Sequence, residues 1–288
     1  MEPLICSLLG EAYEGSGLLP EAILALRRAV DQGAHDCAVY RRLIQDYERT
    51  GQGDSARSTC EELRERKPGE ATGHVLTAHL ANLRGNYASA VDAAFRALEV
   101  EAGCPCALYE LGLAYANMRS YEMALDPLMR ATTRDPYDGE AFNLLGYVYL
   151  RSNRPLHAIV VLREATELTR GASAPWKSLG EAYSAAGLNA RARDAYERAI
   201  EKDPGDVNLY VSLSREMAKE DGCEDAVKVL KRGLVECGPS AWLTYHLGKT
   251  YALGGQVDLA RQQAQQLAGM NRNLSLQLLR VIELRDSL

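Results

Sequence analysis

The residues in this 288-residue chain best suited to chemistry are its seven cysteines and five histidines. Cys104 and Cys106 flank Pro105 and form a closely spaced thiol pair that could serve redox or metal chemistry. A metal would need further ligands, and no histidine has a second ligand four residues further along. We therefore interpret the pair as two small residues at a junction between structural segments, and we expect no metal site.

Motifs that define common catalytic centres are also missing. The sequence contains no GxSxG nucleophile elbow, no HExxH pair and no glycine-rich phosphate loop. Its carboxylates alternate with basic residues at helix-surface spacing, as in the EELRER stretch at 61–66, which is typical of a solvated helix face. We expect no catalytic residue and no cofactor, and hence a protein that is not an enzyme.

Charge and hydropathy exclude further classes of function. The formal net charge is −6, and no block of Lys and Arg could neutralise phosphates, which argues against nucleic-acid binding. The apolar runs are too short to span a bilayer. The first residues lack the basic region and cleavage site of a signal peptide, and reduced thiols suit a cytoplasmic location.

One stretch, 176–204, sets the pattern of the whole chain. It places apolar, small and helix-ending residues at fixed intervals: Trp176, Leu179, Gly180, Tyr183, Ala192, Tyr196, Ala199 and Pro204. By this spacing the chain resembles the tetratricopeptide repeat (TPR) family. The resemblance implies two antiparallel helices per repeat, which approach closely where Gly180 and Ala192 carry almost no side chain. A single pair cannot bury its apolar face, so pairs must stack.

Steps of 34 residues carry this pattern along the chain without insertion or deletion. The predicted repeats are 3–36, 37–70, 71–104, 105–138, 139–172, 173–206, 207–240 and 241–274, and residues 275–288 form a C-terminal capping helix. The position of Ala192 holds alanine in all eight, and that of Leu179 holds leucine in seven, with Thr77 the exception. The predicted fold is all-α: an α-solenoid, or right-handed TPR superhelix, of eight helix-turn-helix repeats.

In the TPR family the first helices line a concave groove that holds a protein or peptide partner. The resemblance assigns this role to Arg41, Gln45, His79, Tyr109, Leu113, Asn117, Asn143, Tyr147, Arg151 and Lys177. In the middle of the groove, aromatic and leucine side chains would supply apolar area, and amide and arginine side chains would supply hydrogen bonds. The alternative interpretation is that these are merely exposed residues on a scaffold with no fixed ligand.

Two charge patterns within the groove also bear on the partner. Arg41, Arg42 and Arg49 form a basic spot that would attract an acidic segment, unless Glu14 and Glu48 balance it. The TPR clamp for chaperone C-terminal carboxylates needs a set of Lys, Asn and Arg that no window of this sequence contains.

The sequence leaves three functions open. The leading one is a non-catalytic scaffold or adaptor that binds a peptide or protein segment in the concave groove. The second is the TPR binding or regulatory portion of a larger enzyme or regulator. The third is a scaffold that self-associates through uncapped ends: Leu4, Ile5 and Leu8 belong to the first helix, and further leucines narrow the polar face of the last, Leu276, Leu279 and Leu284.

Overall fold

The computed structural model describes residues 3–33, 37–66, 69–220 and 222–286. Within these ranges the regular structure is helical throughout, with seventeen α-helices and no strand. The helices are α1 Pro3–Gly15, α2 Leu19–Asp31, α3 Cys37–Arg49, α4 Gly53–Arg66, α5 Thr72–Leu83, α6 Tyr87–Val100, α7 Pro105–Asn117, α8 Tyr121–Arg134, α9 Gly139–Arg151, α10 Pro155–Leu168, α11 Ser173–Ala185, α12 Asn189–Lys202, α13 Val207–Glu220, α14 Cys223–Glu236, α15 Ala241–Leu253, α16 Val257–Met270 and α17 Arg272–Asp286. The prediction of an all-α solenoid is confirmed.

Helices α1 to α16 fall two by two within the eight predicted frames, so odd-numbered helices are the first of each pair and even-numbered ones the second. Helix α17 begins at Arg272, before the predicted position 275. The earlier start follows from Asn271, whose side-chain Oδ1 accepts a hydrogen bond from the backbone N–H of Leu274 at 3.2 Å and so caps the first turn.

In seven of the eight pairs, the turn between the two helices contains a residue in the left-handed region at the same position; the equivalent residue of the seventh pair, Asp221, lies outside the described residues. In the sixth pair, Gly187 has φ 73°, and the N–H of Leu188 bonds the carbonyl of Tyr183 at 2.9 Å. Glycine adopts this conformation without steric cost. Arg119 and Asn153 occupy the same place with φ 60° and 57°. The helix pairing therefore tolerates non-glycine residues here, at a cost of about 1–2 kcal/mol for a residue such as arginine.

Small residues set the distance between the two helices of a pair. A Cβ on Gly180 would lie 2.6 Å from Cε1 of Tyr196, and one on Gly112 would lie 2.5 Å from Cγ of Leu128. The alanine that recurs once per repeat is fully buried at every occurrence: Ala22, Ala56, Ala90, Ala124, Ala158, Ala192, Ala226 and Ala260. Close backbone approach is thus built into the sequence once per pair.

The chain divides into two compact units, Met1–Val148 and Tyr149–Leu288, with the division inside α9. In the first unit the core includes Leu26, Leu43 and Leu76, and α5 contacts both α3 and α7. In the second unit the core includes Tyr210 and Leu243, and α15 contacts both α13 and α17. The first helices α3, α5 and α7 therefore lie side by side in the first unit, as do α13, α15 and α17 in the second. None of the described helices has the length and apolarity needed to cross a bilayer.

Candidate partner-binding site

A buried polar network joins three first helices of the first unit. Glu110 on α7 is fully buried, and its Oε1 accepts a hydrogen bond from Nδ1 of His79 at 2.9 Å and lies 3.3 Å from Nε of Arg41. Its Oε2 accepts a hydrogen bond from Nδ2 of Asn82 at 2.8 Å. Burial by itself would raise the pKa of Glu110, but His79, Arg41 and Asn82 together lower it below its usual value. Glu110 is therefore an anion held by hydrogen bonds from His79 and Asn82 and by the charge of Arg41.

Arg41 carries this network towards the surface. Its Nη2 donates to Oε2 of Glu140 at 2.9 Å, and its guanidinium lies 4.3 Å from the centroid of the Tyr109 ring. Tyr109 is only 9% exposed, and burial raises the pKa of its hydroxyl. Three residues expected to contact a partner, Arg41, His79 and Tyr109, are thus mostly committed to contacts inside the protein. The apolar area expected from Tyr109 is not available, because Arg41 covers its ring.

The basic spot in the second repeat is balanced by acidic side chains. Arg42 pairs with Glu11, Arg49 lies 3.7 Å from Oδ1 of Asp46, and Arg41 is engaged as described above. The interpretation in which local carboxylates balance the three arginines therefore fits better than that of a free cationic patch. Gln45, on the same helix, is half-buried.

Beside this spot lies a pair of carboxyl groups. Burial raises the pKa of both Glu14 and Asp46, and the charge of Asp46 raises that of Glu14 further. Oε1 of Glu14 and Oδ2 of Asp46 are buried and accept no hydrogen bond from any donor in the described part of the chain. Glu48, which was expected to balance the arginines, instead bonds Arg84 at 2.7 Å.

The remaining predicted groove residues of the first unit have side chains that are partly or fully accessible to solvent. Leu113 is half-buried and Asn117 is exposed, both on α7. On α9, Tyr147 is 39% exposed and stands edge-on to Tyr121, with ring centroids 6.4 Å apart. Asn143 is half-buried, and its Oδ1 is buried with no hydrogen-bond partner within the described ranges. An unpaired buried acceptor costs about 1–3 kcal/mol, so an incoming donor would be favoured there.

Two of the predicted residues belong to the second unit. Arg151 is exposed, and Nζ of Lys177 bonds Oδ2 of Asp206 at 3.0 Å. Both cations act on Glu181: burial raises the pKa of its carboxyl, and Lys177 and Arg151 oppose that rise. The two cations and the two carboxylates, Asp206 and Glu181, therefore form a surface with charges of both signs.

The cysteines pack as small apolar residues. Cys60 and Cys104 are buried free thiols, and burial raises their pKa to about 12 and about 11. Cys104 directly precedes α7, and Cys106 in its first turn is half-buried. Among the residues that the structure describes, no group of three or more His, Cys, Asp or Glu side chains could hold a metal ion.

Comparison with protein families identifies the class. Three tetratricopeptide repeat models match residues 41–104, residues 107–138 with 139–171, and residues 173–219, together more than half of the chain. The chain therefore belongs to the tetratricopeptide repeat family. Such repeats build protein-interaction scaffolds, and this chain is of that general class.

Solved structures agree on the fold. A chain of the APC/C hetero-tetramer Cut9-Hcn1 matches with a TM-score of 0.67 and 13% identity, over 91% of this chain and 52% of its own length. YrrB, described as a TPR protein with an unusual peptide-binding site, matches with a TM-score of 0.56 and 22% identity over 66% of this chain and 97% of its own. Pseudomonas aeruginosa PilF matches with a TM-score of 0.60 and 17% identity over 73% and 96%.

At these identities the matches support the fold alone. This chain spans about half the length of the Cut9-Hcn1 chain that it matches. No curated protein sequence matches it.

Proposed function

We propose that this protein is a non-catalytic adaptor that binds an extended segment of a partner protein on the first unit, over Leu113, Asn117, Asn143 and Tyr147. The observation that carries the proposal is the buried, unpaired Oδ1 of Asn143. An extended peptide presents backbone N–H groups along its length, and one of them would satisfy this acceptor.

The neighbouring side chains suit the same ligand. Tyr147 and Tyr121 offer an edge-to-face aromatic pair, of which Tyr147 is substantially exposed, and aromatic residues are favoured anchors at interfaces. Asn117 adds an exposed amide that can both donate to and accept from a peptide backbone.

The other predicted residues then take different roles. Arg41, His79 and Tyr109 would position the surface through the Glu110 network, with Gln45 beside them. Arg151 and Lys177 would contact a charged part of the partner on the second unit. YrrB, a structural relative, is described as having a peptide-binding site, which agrees with a peptide ligand for this fold.

The proposal is tested by selecting peptides from a random display library on the wild-type chain and measuring their affinities for variants. We expect Asn143→Ala and Tyr147→Ala each to weaken binding about tenfold, because loss of a buried interface anchor costs more than about 1 kcal/mol. Tyr137→Ala is the matched control, since Tyr137 lies in the same unit and is 84% exposed in the turn before α9. Equal affinities for all three variants would reject the site.

Two wider assignments accompany this proposal. The protein would lie in the cytoplasm, which suits the free thiols of the six cysteines whose side chains the structure describes. It would act either as a separate adaptor or as the binding portion of a larger enzyme or regulator. A longer native reading frame that adds an effector domain would favour the second.

Self-association is a second candidate function, favoured by the outer face of α1. Ile5 and Leu9 are 45% and 38% exposed. At the same two repeat positions the large apolar residues of later first helices are buried: Val39, Leu43, Leu111, Leu145, Leu179, Leu209, Leu213, Leu243 and Leu247. Among these first helices, α3, α7, α11, α13 and α15 each contact the second helix of the preceding pair. The face of α1 is therefore shaped to receive a helix, and a second copy would supply one.

Sedimentation velocity at graded concentrations tests this candidate. We expect the wild type to form dimers and Ile5→Glu to remain a monomer, because a buried, unpaired carboxylate is strongly disfavoured in an apolar interface. Leu284→Glu on α17, where Leu284 is 69% exposed, is the control and should still dimerise. A wild type that is monomeric at every concentration would contradict self-association.

A further inference from the structure

An aromatic cluster lies on one face of α15 in the second unit. The rings of Trp242 and Tyr245 are nearly parallel, at 17° with centroids 5.9 Å apart. The His246 ring meets both edge-on, with centroids 4.6 Å from Trp242 and 5.4 Å from Tyr245. Trp242 is 43% exposed, so a large part of its indole ring is accessible. Tryptophan is one of the residues that most often anchor a protein interface.

Two cations accompany the cluster. The pKa of His246 is lowered to about 4, first by burial and then by the positive charges of Lys249 and Arg215. The positive charges of Lys249 and Arg215 therefore act on the ring of His246. Neither Arg215 nor Lys249 forms an ion pair with any side chain that the structure describes.

Two other cations of this unit are paired. Lys219 bonds Glu216 at 2.8 Å, and Arg232 bonds Glu197 at 2.6 Å. Among the described residues, Arg215 and Lys249 lack the counter-charges that Lys219 and Arg232 have, in a chain whose formal net charge is −6.

His246 adds a polar atom that lacks a partner. Its Nε2 is buried and makes no hydrogen bond within the described part of the chain. At neutral pH the ring is uncharged, and in the Nε2–H tautomer it would donate to an incoming oxygen. A carboxylate would supply that oxygen and the missing negative charge together.

We propose that Arg215, Trp242, Tyr245, His246 and Lys249 form a docking surface for an acidic segment of a partner protein, with an apolar side chain of that segment on Trp242. The two cations favour an acidic segment because the charges are complementary. The exposed indole of Trp242 favours an apolar side chain next to the acidic residues of that segment. The surface lies in the second unit and does not depend on the proposed site at Asn143. Nucleic acid is the less favoured occupant, because two cations would neutralise few phosphates.

Fluorescence of Trp242 provides a direct test. The chain has two tryptophans, so Trp176→Phe leaves Trp242 as the only indole. The probe is a synthetic peptide of alternating glutamate and leucine with blocked ends, and the same peptide with lysine in place of glutamate is its counterpart. We expect the acidic peptide to give a saturable change in emission that weakens with salt, and the basic peptide to give none.

Charge reversal identifies the surface. In the Trp176→Phe background, Arg215→Glu with Lys249→Glu should weaken the acidic peptide roughly tenfold or more. Lys202→Glu with Lys228→Glu changes the net charge equally at exposed positions of the same unit and should leave binding within about twofold. His246→Phe keeps a ring but removes Nε2 and should weaken binding several-fold. Circular dichroism of each variant verifies the helical fold.

Three results would overturn the proposal: no saturable change at Trp242, equal loss in both charge-reversal pairs, or saturation by a single-stranded oligonucleotide but not by the acidic peptide. Asn143→Ala should leave the Trp242 signal intact, so failure of the proposed peptide site and failure of this surface are distinguishable.

Discussion

The buried carboxylate of Glu110 in the first unit depends on its neighbours to stabilise its charge. It is fully buried, and its charge is stabilised only by the donors that surround it. Such an ion pair adds little net stability over apolar packing, but removing one partner leaves the others buried and uncompensated. The network therefore fixes the relative placement of α3, α5 and α7 more than it strengthens the fold.

Glu110→Gln should lower the free energy of unfolding by about 3–5 kcal/mol at neutral pH, because Arg41 and His79 lose their shared anion. Glu140→Gln, at a carboxylate that is 66% exposed, should cost less than about 1 kcal/mol. The pKa of Glu110 is lowered on folding, so its contribution is present at neutral pH and is lost as the pH falls below about 4. Urea unfolding at neutral and acidic pH measures both effects, and equal losses for the two variants would contradict the assignment.

Asp46 should behave in the opposite way. Its pKa is raised on folding, so the native state binds its proton more tightly than the unfolded state, and stability falls as the pH rises through the folded pKa. Asp46→Asn removes this cost and lets an amide donate to Glu14. We expect a gain of about 1 kcal/mol at neutral pH that vanishes near pH 4.

Guanidinium unfolding at the two pH values checks the Asp46 prediction. Asp54→Asn, at an exposed position on α4, serves as the control and should change little. A loss of stability in Asp46→Asn at neutral pH would show that the ion pair with Arg49 outweighs burial.

At the scale of the helix pair, stability depends on how closely the two backbones approach. Gly180→Ala should destabilise the chain by about 1–3 kcal/mol, because the new Cβ would lie 2.6 Å from a Tyr196 ring that is buried and cannot move aside. Gly269→Ala is the matched control: a Cβ there meets nothing within 4 Å, and the higher helix propensity of alanine should add up to about 1 kcal/mol. Thermal unfolding of both variants tests this prediction. Changes in stability of the same sign in the two variants would contradict it.

The helix pairs were predictable because local spacing determines them. Each repeat has one position that holds alanine and another that nearly always holds leucine, and both recur every 34 residues. These two positions were enough to predict the all-α fold. The Glu110 network was not predictable, because its partners Asn82, His79 and Arg41 lie far away along the chain, at separations of 28, 31 and 69 residues, and Glu140 bonds Arg41 from 99 residues away. Nothing in the local pattern indicates that Arg41 covers Tyr109.

The aromatic cluster on α15 was equally hidden. Trp242, Tyr245 and His246 are close together in the sequence, but the sequence does not tell which cations have counter-charges. Pairing depends on the rotamers of long side chains from neighbouring helices, and these are set by packing rather than by spacing.

For the molecule as a whole, a repeat architecture makes stability a sum of local terms. A fragment of residues 139–288, which keeps α9 intact and contains the second unit, should therefore fold by itself. We expect its circular dichroism to show helix content per residue like that of the full chain, and its urea m-value to fall roughly in proportion to length. An unfolded fragment would show that this unit depends on residues 1–138.

The two buried thiols of Cys60 and Cys104 allow local opening of the repeats to be measured as a rate. Only the thiolate reacts with alkylating reagents, and raised pKa values keep both sulfurs protonated and shielded in the folded chain. Each sulfur becomes reactive when the helices around it separate. Timed maleimide labelling would thus measure how often the second repeat, and the junction between the third and fourth repeats, open to solvent.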